Sequence, residues 1–192
     1  MFEFETHGGM QTLMELETEL MHYLELTDYA TVTHLDYLAA CKHFATPTIE
    51  HEHEQAIADE FSEICLLTDF TVVTSPFRNM KRDGEIAKKV DVLLRGMETI
   101  WSAERSCDAE QMRNSFHTIS NGGYAQTLYD AFGKERVEQE LENFLSYEFF
   151  PRCGGGIGMT RLIRAMRMAG LLDESSHTGL GMEKVIQMKQ NA

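Results

Sequence analysis

The sequence predicts an α+β fold, an antiparallel sheet flanked by helices, and two observations carry that reading. Two apolar-rich segments, 89–96 and 98–107, flank Gly96 like the arms of a hairpin. The other strand-like segments are separated by helical stretches of unequal length. A doubly wound parallel fold would need regular strand–helix alternation, which is missing.

Phe2 and Phe4 alternate with Glu3 and Glu5, the pattern of a strand end, so the chain is expected to begin inside an element. From Gly9 to Leu26, Met10, Leu13, Met14, Leu20, Met21 and Leu24 recur at helical spacing against an acidic outer face. Thr33 is expected to cap a short helix with Leu35, Leu38, Ala39 and Cys41 inward. Thr48 or Glu50 opens another helix running to about Phe61. Residues 64–70 read as a strand and 71–74 as its turn. After the hairpin, 109–119, 124–131 and 134–145 read as helices, punctuated by Gly122, Gly123 and Gly133. Residues 149–155 read as a strand and 160–169 as a helix. The expected boundaries are one domain over 1–172 and a polar, loosely held tail over 173–192.

Composition removes several classes of function. The 192 residues suffice for one sizeable core. No apolar run approaches the roughly 20 residues of a membrane helix, so no membrane partner is expected. Cys41, Cys65, Cys107 and Cys153 are widely spaced without a CxxC pair, which suits free thiols in a reducing cytoplasm. The net charge of −14 opposes a grip on nucleic-acid phosphates by this chain alone. Arg161, Arg164 and Arg167, at helical spacing, form the one short basic cluster. His51 and His53 lie two apart, which on a helix puts them on different faces, so an acidic helix start is favoured over a metal site.

Chemistry concentrates in two places. Gly154, Gly155, Gly156 and Gly158 strip side chains from the end of a strand that feeds a helix, so that a flat or charged ligand can lie against backbone. Arg161 sits in the first turn of that helix and can reach back over the same surface. No GK[ST] follows the glycines, which excludes a P-loop, and Arg161 stands where a dinucleotide fingerprint has its third glycine. A purely structural glycine turn with a surface arginine is the alternative. In the hairpin, a turn at Leu94-Arg95 would set Asp91 opposite Glu98, with Cβ atoms about 5 Å apart. Two facing carboxylates suit a Mg²⁺ shared with phosphate oxygens; a solvated pair at a sheet edge is the alternative. Further along that strand lies Arg105, flanked by the small residues Ser102 and Ala103. Buried there, its guanidinium would read a carboxylate through a bidentate fork.

The run from Gly154 to Arg161 followed by an apolar helix resembles motif 3 of the class II aminoacyl-tRNA synthetases. In that family the motif's arginine contacts ATP, so the resemblance assigns Arg161 to the nucleotide. Asp91 with Glu98 resembles the acidic pair that holds Mg²⁺ in the aspartyl and asparaginyl enzymes. Arg105, seven residues after Glu98, matches the arginine that reads the aspartate side chain in the aspartyl enzyme and in ammonia-dependent asparagine synthetase. The lysyl branch would carry an acidic residue there. Thr68, Asp69, Phe70, Pro76 and Phe77 are similar to the strand and turn before this hairpin. What the resemblance implies is an ATP- and Mg²⁺-dependent ligase that activates aspartate as aspartyl-adenylate, with Arg161 and Arg105 in catalytic positions and Ser102 beside the substrate. Aspartate or asparagine would be the amino acid, and ammonia or tRNA the acceptor.

The resemblance also implies segments that these residues do not match: motif 1, the first strand of motif 2, and the motif 2 arginine that contacts the α-phosphate. Met1 to Glu5 resembles the end of the second motif 2 strand. The expectation is therefore a partial class II domain, either cut from a longer product or a split or non-catalytic paralogue that binds nucleotide or a partner protein. Class II domains usually dimerise through motif 1, which leaves a homodimer or a complementing N-terminal fragment as candidate partners.

Overall fold

A computed structural model describes residues 1–27, 32–74 and 79–172. The expectations for Pro76, Phe77 and the tail 173–192 lie outside the described residues. One sheet organises these residues, with strand order β1-β7-β6-β5-β3-β2 and β4 paired to β5. Its strands are β1 (Phe2–His7), β2 (Thr33–Asp36), β3 (Ile64–Thr71), β4 (Arg82–Asp83), β5 (Ile86–Leu94), β6 (Glu98–Glu104) and β7 (Arg152–Ile157). Every pairing is antiparallel except β2 with β3, which makes the sheet mixed.

Helix α1 (Met10–Tyr23) lies across one face. Leu13, Glu17 and Met21, spaced at i and i+4, are its buried residues. With α7 (Met159–Met168) it closes a core of Val90, Val92, Leu94, Ile100, Cys153, Ile157, Leu162 and Ala165. Helices α2 (Tyr37–His43) and α3 (His51–Glu60) cover part of the opposite face, over Leu67 and Phe70 and over Cys65 and Leu93. The remainder of that face, over β5, β6, β7 and β1, holds the candidate site. Helices α4 (Ala109–Thr118), α5 (Gly123–Phe132) and α6 (Lys134–Leu145) pack around their own cluster of Met112, Phe116, Ala125, Leu141 and Leu145. Among the described residues no helix is long and apolar enough to cross a membrane.

Three local expectations are corrected. Thr33 does not cap a helix: Thr33–Asp36 extends and pairs in parallel with Cys65–Thr68. Asp36 is the cap, its Oδ1 accepting from Ala39 N at 2.7 Å. The inward face of α2 is consequently Tyr37, Ala40 and Cys41, with Leu38 and Ala39 outside. The hairpin turns one residue later than expected. Arg95 (φ 49) and Gly96 (φ 76) both occupy the left-handed region, and Leu94 and Met97 exchange backbone hydrogen bonds at 2.9 and 3.2 Å, as in a type I′ turn. This turn pairs Leu93 with Glu98, and a bulge between Val92 and Leu93 then sets Asp91 opposite Trp101. Asp91 and Glu98 are therefore not ladder partners. Asp91 and Leu93 lie two apart on β5 and so share a face, and Glu98, paired with Leu93, joins Asp91 on one cavity, while the bulge brings Trp101 rather than Ile100 opposite Asp91.

Candidate functional site

Strand alternation decides what faces the open side of the sheet. On β5, Val90 and Val92 point into the α1–α7 core, which leaves Lys89 and Asp91 on the other face. Asp91 and Glu98 line a cavity of about 590 Å³ together with Lys89, Phe70, Tyr37 and the segment 47–50. Asp91 is 4% exposed. Its Oδ2 receives the Lys89 ammonium at 2.6 Å, while its Oδ1 is buried with no hydrogen-bond partner among the described residues. Burial pushes the Asp91 carboxyl up to about 7; the charges of Glu98 and Glu54 push the same way, and Lys89 opposes them. The Lys89 ammonium also stands 4.0 Å from the Phe70 ring centroid. Glu98 is fixed through its backbone, its N–H donating to Glu54 Oε2 at 3.1 Å, which leaves its carboxylate partly open.

Arg161 joins this group from α7. Its Nη1 donates to the Glu98 carbonyl at 2.7 Å and stands 3.7 Å from Glu98 Oε1. The helix is brought there by Gly158, whose N–H donates to Thr99 O at 2.8 Å. The glycines divide by role. A Cβ at Gly154 would lie 2.3 Å from Phe4 O, and one at Gly155 2.2 Å from Trp101 O. These two are required by the close approach of β1 and β6, so the side-chain-free cradle narrows to Gly156 and Gly158. Gly156 faces the Trp101 indole at 3.0 Å, and Gly158 faces the Arg161 stem at 3.3 Å.

Arg105 lies just beyond β6, 7% exposed, on a neighbouring cavity of about 450 Å³ lined with Glu3, Glu5, Asn79 and Trp101. Because Trp101 is the ladder partner of Asp91, the two cavities open on the same face. Arg105 Nε donates to Glu5 Oε1 at 2.7 Å, and Arg152 Nε stands 3.3 Å from Glu5 Oε2. The Nη1 atoms of both arginines are buried without a hydrogen-bond partner among the described residues. Ser102 does not join them. It is fully buried on the α1 side, donating to Glu17 Oε1 at 2.5 Å, because strand alternation turns it away from Arg105. Its placement as a substrate contact is corrected accordingly. Glu17 is 1% exposed, and burial pushes its carboxyl up to about 8.

Sequence reasoning missed Lys89, Glu54, Glu5 and Arg152. Lys89 was accessible, since a residue two positions before Asp91 shares its face. Glu54 and Glu5 were not, because they come from distant elements whose docking no local pattern records. His53 has a defined structural part, its Nδ1 accepting from Glu50 N at 3.0 Å in a capping box. Cys41, Cys65 and Cys153 are buried free thiols, and Cys107 is an exposed one.

Comparison with known proteins gives the following. The family model for class II tRNA synthetases (D, K and N) matches residues 5–172. Aspartyl-tRNA synthetase from Entamoeba histolytica superposes with a TM-score of 0.65 at 16% identity, over 85% of this chain and 39% of that one. Asparaginyl-tRNA synthetase from Pyrococcus horikoshii superposes with a TM-score of 0.64 at 17% identity, over 85% of this chain and 44% of that one. The same enzyme complexed with asparaginyl-adenylate gives 0.65. The chain spans about two fifths of the length of these solved structures. No curated protein matches it by sequence.

Proposed function

The chain belongs to the class II tRNA synthetases (D, K and N), and on that premise we propose that its open sheet face activates aspartate with ATP, forming aspartyl-adenylate and releasing pyrophosphate. An α-carboxylate oxygen of aspartate attacks the α-phosphorus, and the bond from that phosphorus to the bridging oxygen breaks. The observation that carries the reading is the convergence of Asp91, Glu98 and Arg161 on one side of the sheet with Arg105 on the adjoining cavity.

The donor set fits a nucleotide with its cation. Asp91 Oδ1 is a buried oxygen without a hydrogen-bond partner among the described residues, and the Glu98 carboxylate lines the same cavity. Two carboxylates plus phosphate oxygens are what Mg²⁺ prefers, and the ion would neutralise phosphate charge. Arg161, held against Glu98, presents a planar cation to the nucleotide. The surface beside it at Gly156 and Gly158 carries no side chain. Arg105 orients the amino acid through its side-chain carboxylate, and Trp101 walls the space between the two subsites.

The acceptor in this reading is ammonia or the end of a tRNA, and the four free thiols suit a cytoplasmic setting. A second copy of the chain or a complementing N-terminal fragment is the candidate protein partner in this reading. ATP–pyrophosphate exchange with aspartate, asparagine and lysine tests the reading. Exchange that depends on aspartate and disappears in Arg105→Ala and Arg161→Ala is the expected result. No exchange with any amino acid from a folded sample, alone or with the complementing fragment, overturns adenylate formation.

A further inference from the structure

We propose that Glu5 is an internal carboxylate seated in the side-chain subsite, so that a substrate carboxylate enters by taking Glu5's place on Arg105. This inference rests on the reading of Arg105 as the residue that meets the amino-acid side chain.

The geometry behind it is local. Phe4 packs into the α1–α7 core, so alternation along β1 turns Glu3 and Glu5 to the open face. Glu5 pairs with Gly154 of β7, and a Cβ at Gly154 would stand 2.7 Å from Glu5 Cγ. The absence of a side chain there gives the glutamate stem its path across β7 towards β6. Oε1 then accepts from Arg105 and Oε2 meets Arg152, one carboxylate between two guanidinium groups. Glu3 lines the same cavity, so Glu3, Glu5, Arg105 and Arg152 balance in charge while Glu5 is in place and carry one positive charge in excess once it swings out, and each arginine keeps a buried Nη1 without a partner among the described residues. An anion in the cavity therefore has both a charge and directed donors to bind.

Burial decides which partner yields. The Arg105 side chain is 8% exposed and that of Arg152 14%, whereas that of Glu5 is 48% exposed. The two cations are set in the wall, and the anion reaches them from the solvent side. A glutamate side chain so exposed can rotate into water, where hydration replaces part of what its two contacts supply, leaving the Arg105 fork to the ligand at a cost that falls on the ligand's affinity. In place, Glu5 repels a second carboxylate but not a neutral carboxamide. Its charge thus weakens aspartate relative to asparagine, discrimination by a repulsive element rather than by contact alone. Glu5 is a specificity-determining residue that acts through Arg105.

Isothermal titration of the full chain with aspartate and with asparagine, on wild type, Glu5→Gln and Glu5→Ala, tests this. Glutamine keeps the shape and removes the charge, and alanine vacates the subsite. Expected is a gain in aspartate affinity of about tenfold or more in both variants, with asparagine changing by less than about twofold. Circular dichroism of each variant matching wild type secures the comparison. Equal aspartate affinity in wild type and variants overturns the exchange and leaves the amino-acid site standing. An equal gain for asparagine also overturns it, since Glu5 would then only fill space. If neither amino acid binds any of the three proteins, the reading of Arg105 falls, and the inference with it.

Discussion

The Lys89 ammonium lies 2.6 Å from Asp91 Oδ2, and this contact is the principal counterweight to burial at the Asp91 carboxyl. Both groups are largely inside the protein, with side-chain exposures of 13% and 6%. Removing one partner of a buried pair is far more damaging than the pair is stabilising. Lys89→Met should therefore push the Asp91 carboxyl above its present value of about 7. A carboxyl raised in the folded state keeps its proton there while the unfolded chain gives its proton up. Stability therefore falls as pH rises between the two values. The variant extends that fall upward: little loss at pH 5, where Asp91 is neutral in both proteins, and up to about 1.4 kcal/mol at pH 8, one pH unit above the wild-type value. Urea unfolding at the two pH values checks it, and equal losses would show that Lys89 contributes packing alone.

Glu17 makes a related prediction from the opposite face of the sheet. Burial among apolar residues raises its carboxyl from 4.5 to about 8, despite the hydrogen bond from Ser102. Between those values the folded state holds a proton that the unfolded state has lost, so wild type should weaken steadily as pH rises and level off above pH 8. Glu17→Gln is neutral throughout and keeps an acceptor for Ser102. It should be close to wild type at pH 5 and more stable by at least about 2 kcal/mol at pH 8.5. Chemical denaturation across pH 5–9 reads this directly. A wild-type curve parallel to that of Glu17→Gln would refute a protonated Glu17.

The four glycines of the β7–α7 junction should separate under substitution. At Gly155 a methyl group would meet the Trp101 carbonyl, which belongs to a paired strand and cannot move away. Gly155→Ala should cost about 3 kcal/mol or more, the scale of overpacking in a closed core. At Gly156 the nearest groups are the Met1 sulfur and the Trp101 indole, both side chains, each at 3.0 Å. Gly156→Ala should cost about 1 kcal/mol while filling part of the surface assigned to the ligand. Thermal unfolding alongside nucleotide binding distinguishes them: a large loss of stability at 155, and a loss of binding out of proportion to stability at 156.

How much of this was legible in the sequence depends on the range of the interaction. Alternation at Phe2 to Glu5 and the helical period of Leu13 and Met21 are local, and both elements stand where the pattern put them, but Glu17, expected on the acidic outer face of the helix, is buried between Leu13 and Met21. Thr33 was misread because a threonine before a leucine-containing stretch suits a helix cap and a strand alike. Pairing with Cys65–Thr68, a tertiary fact, decides between them. The Asp91–Glu98 register failed on the placement of the turn: left-handed Arg95 and Gly96 pair Glu98 with Leu93, and the bulge beyond them, which moves Asp91 on to Trp101, has no sequence signal. Arg105 and Arg161 stand out in the sequence because they sit within motifs. Their partners were not: Glu5 is 100 residues from Arg105, and Arg161 meets a backbone carbonyl 63 residues away.

The contact between Arg161 and Glu98 sets the last prediction. Arg161 is about half exposed, and its hydrogen bond goes to a carbonyl rather than to a buried charge. Arg161→Ala should alter stability by no more than about 0.5 kcal/mol, as for most surface substitutions. If Arg161 holds the nucleotide, the same variant should weaken ATP binding by about tenfold or more, the scale of one lost charge-assisted contact. Glu98→Gln keeps the backbone carbonyl that Arg161 uses but removes the carboxylate charge. Its loss should therefore appear only when Mg²⁺ is present, whereas the Arg161→Ala loss should persist when Mg²⁺ is chelated. Fluorescence titration of an ATP analogue with and without EDTA separates the two. A Glu98→Gln deficit that survives chelation would mean that Glu98 acts by positioning Arg161, and the metal assignment would then rest on Asp91 alone.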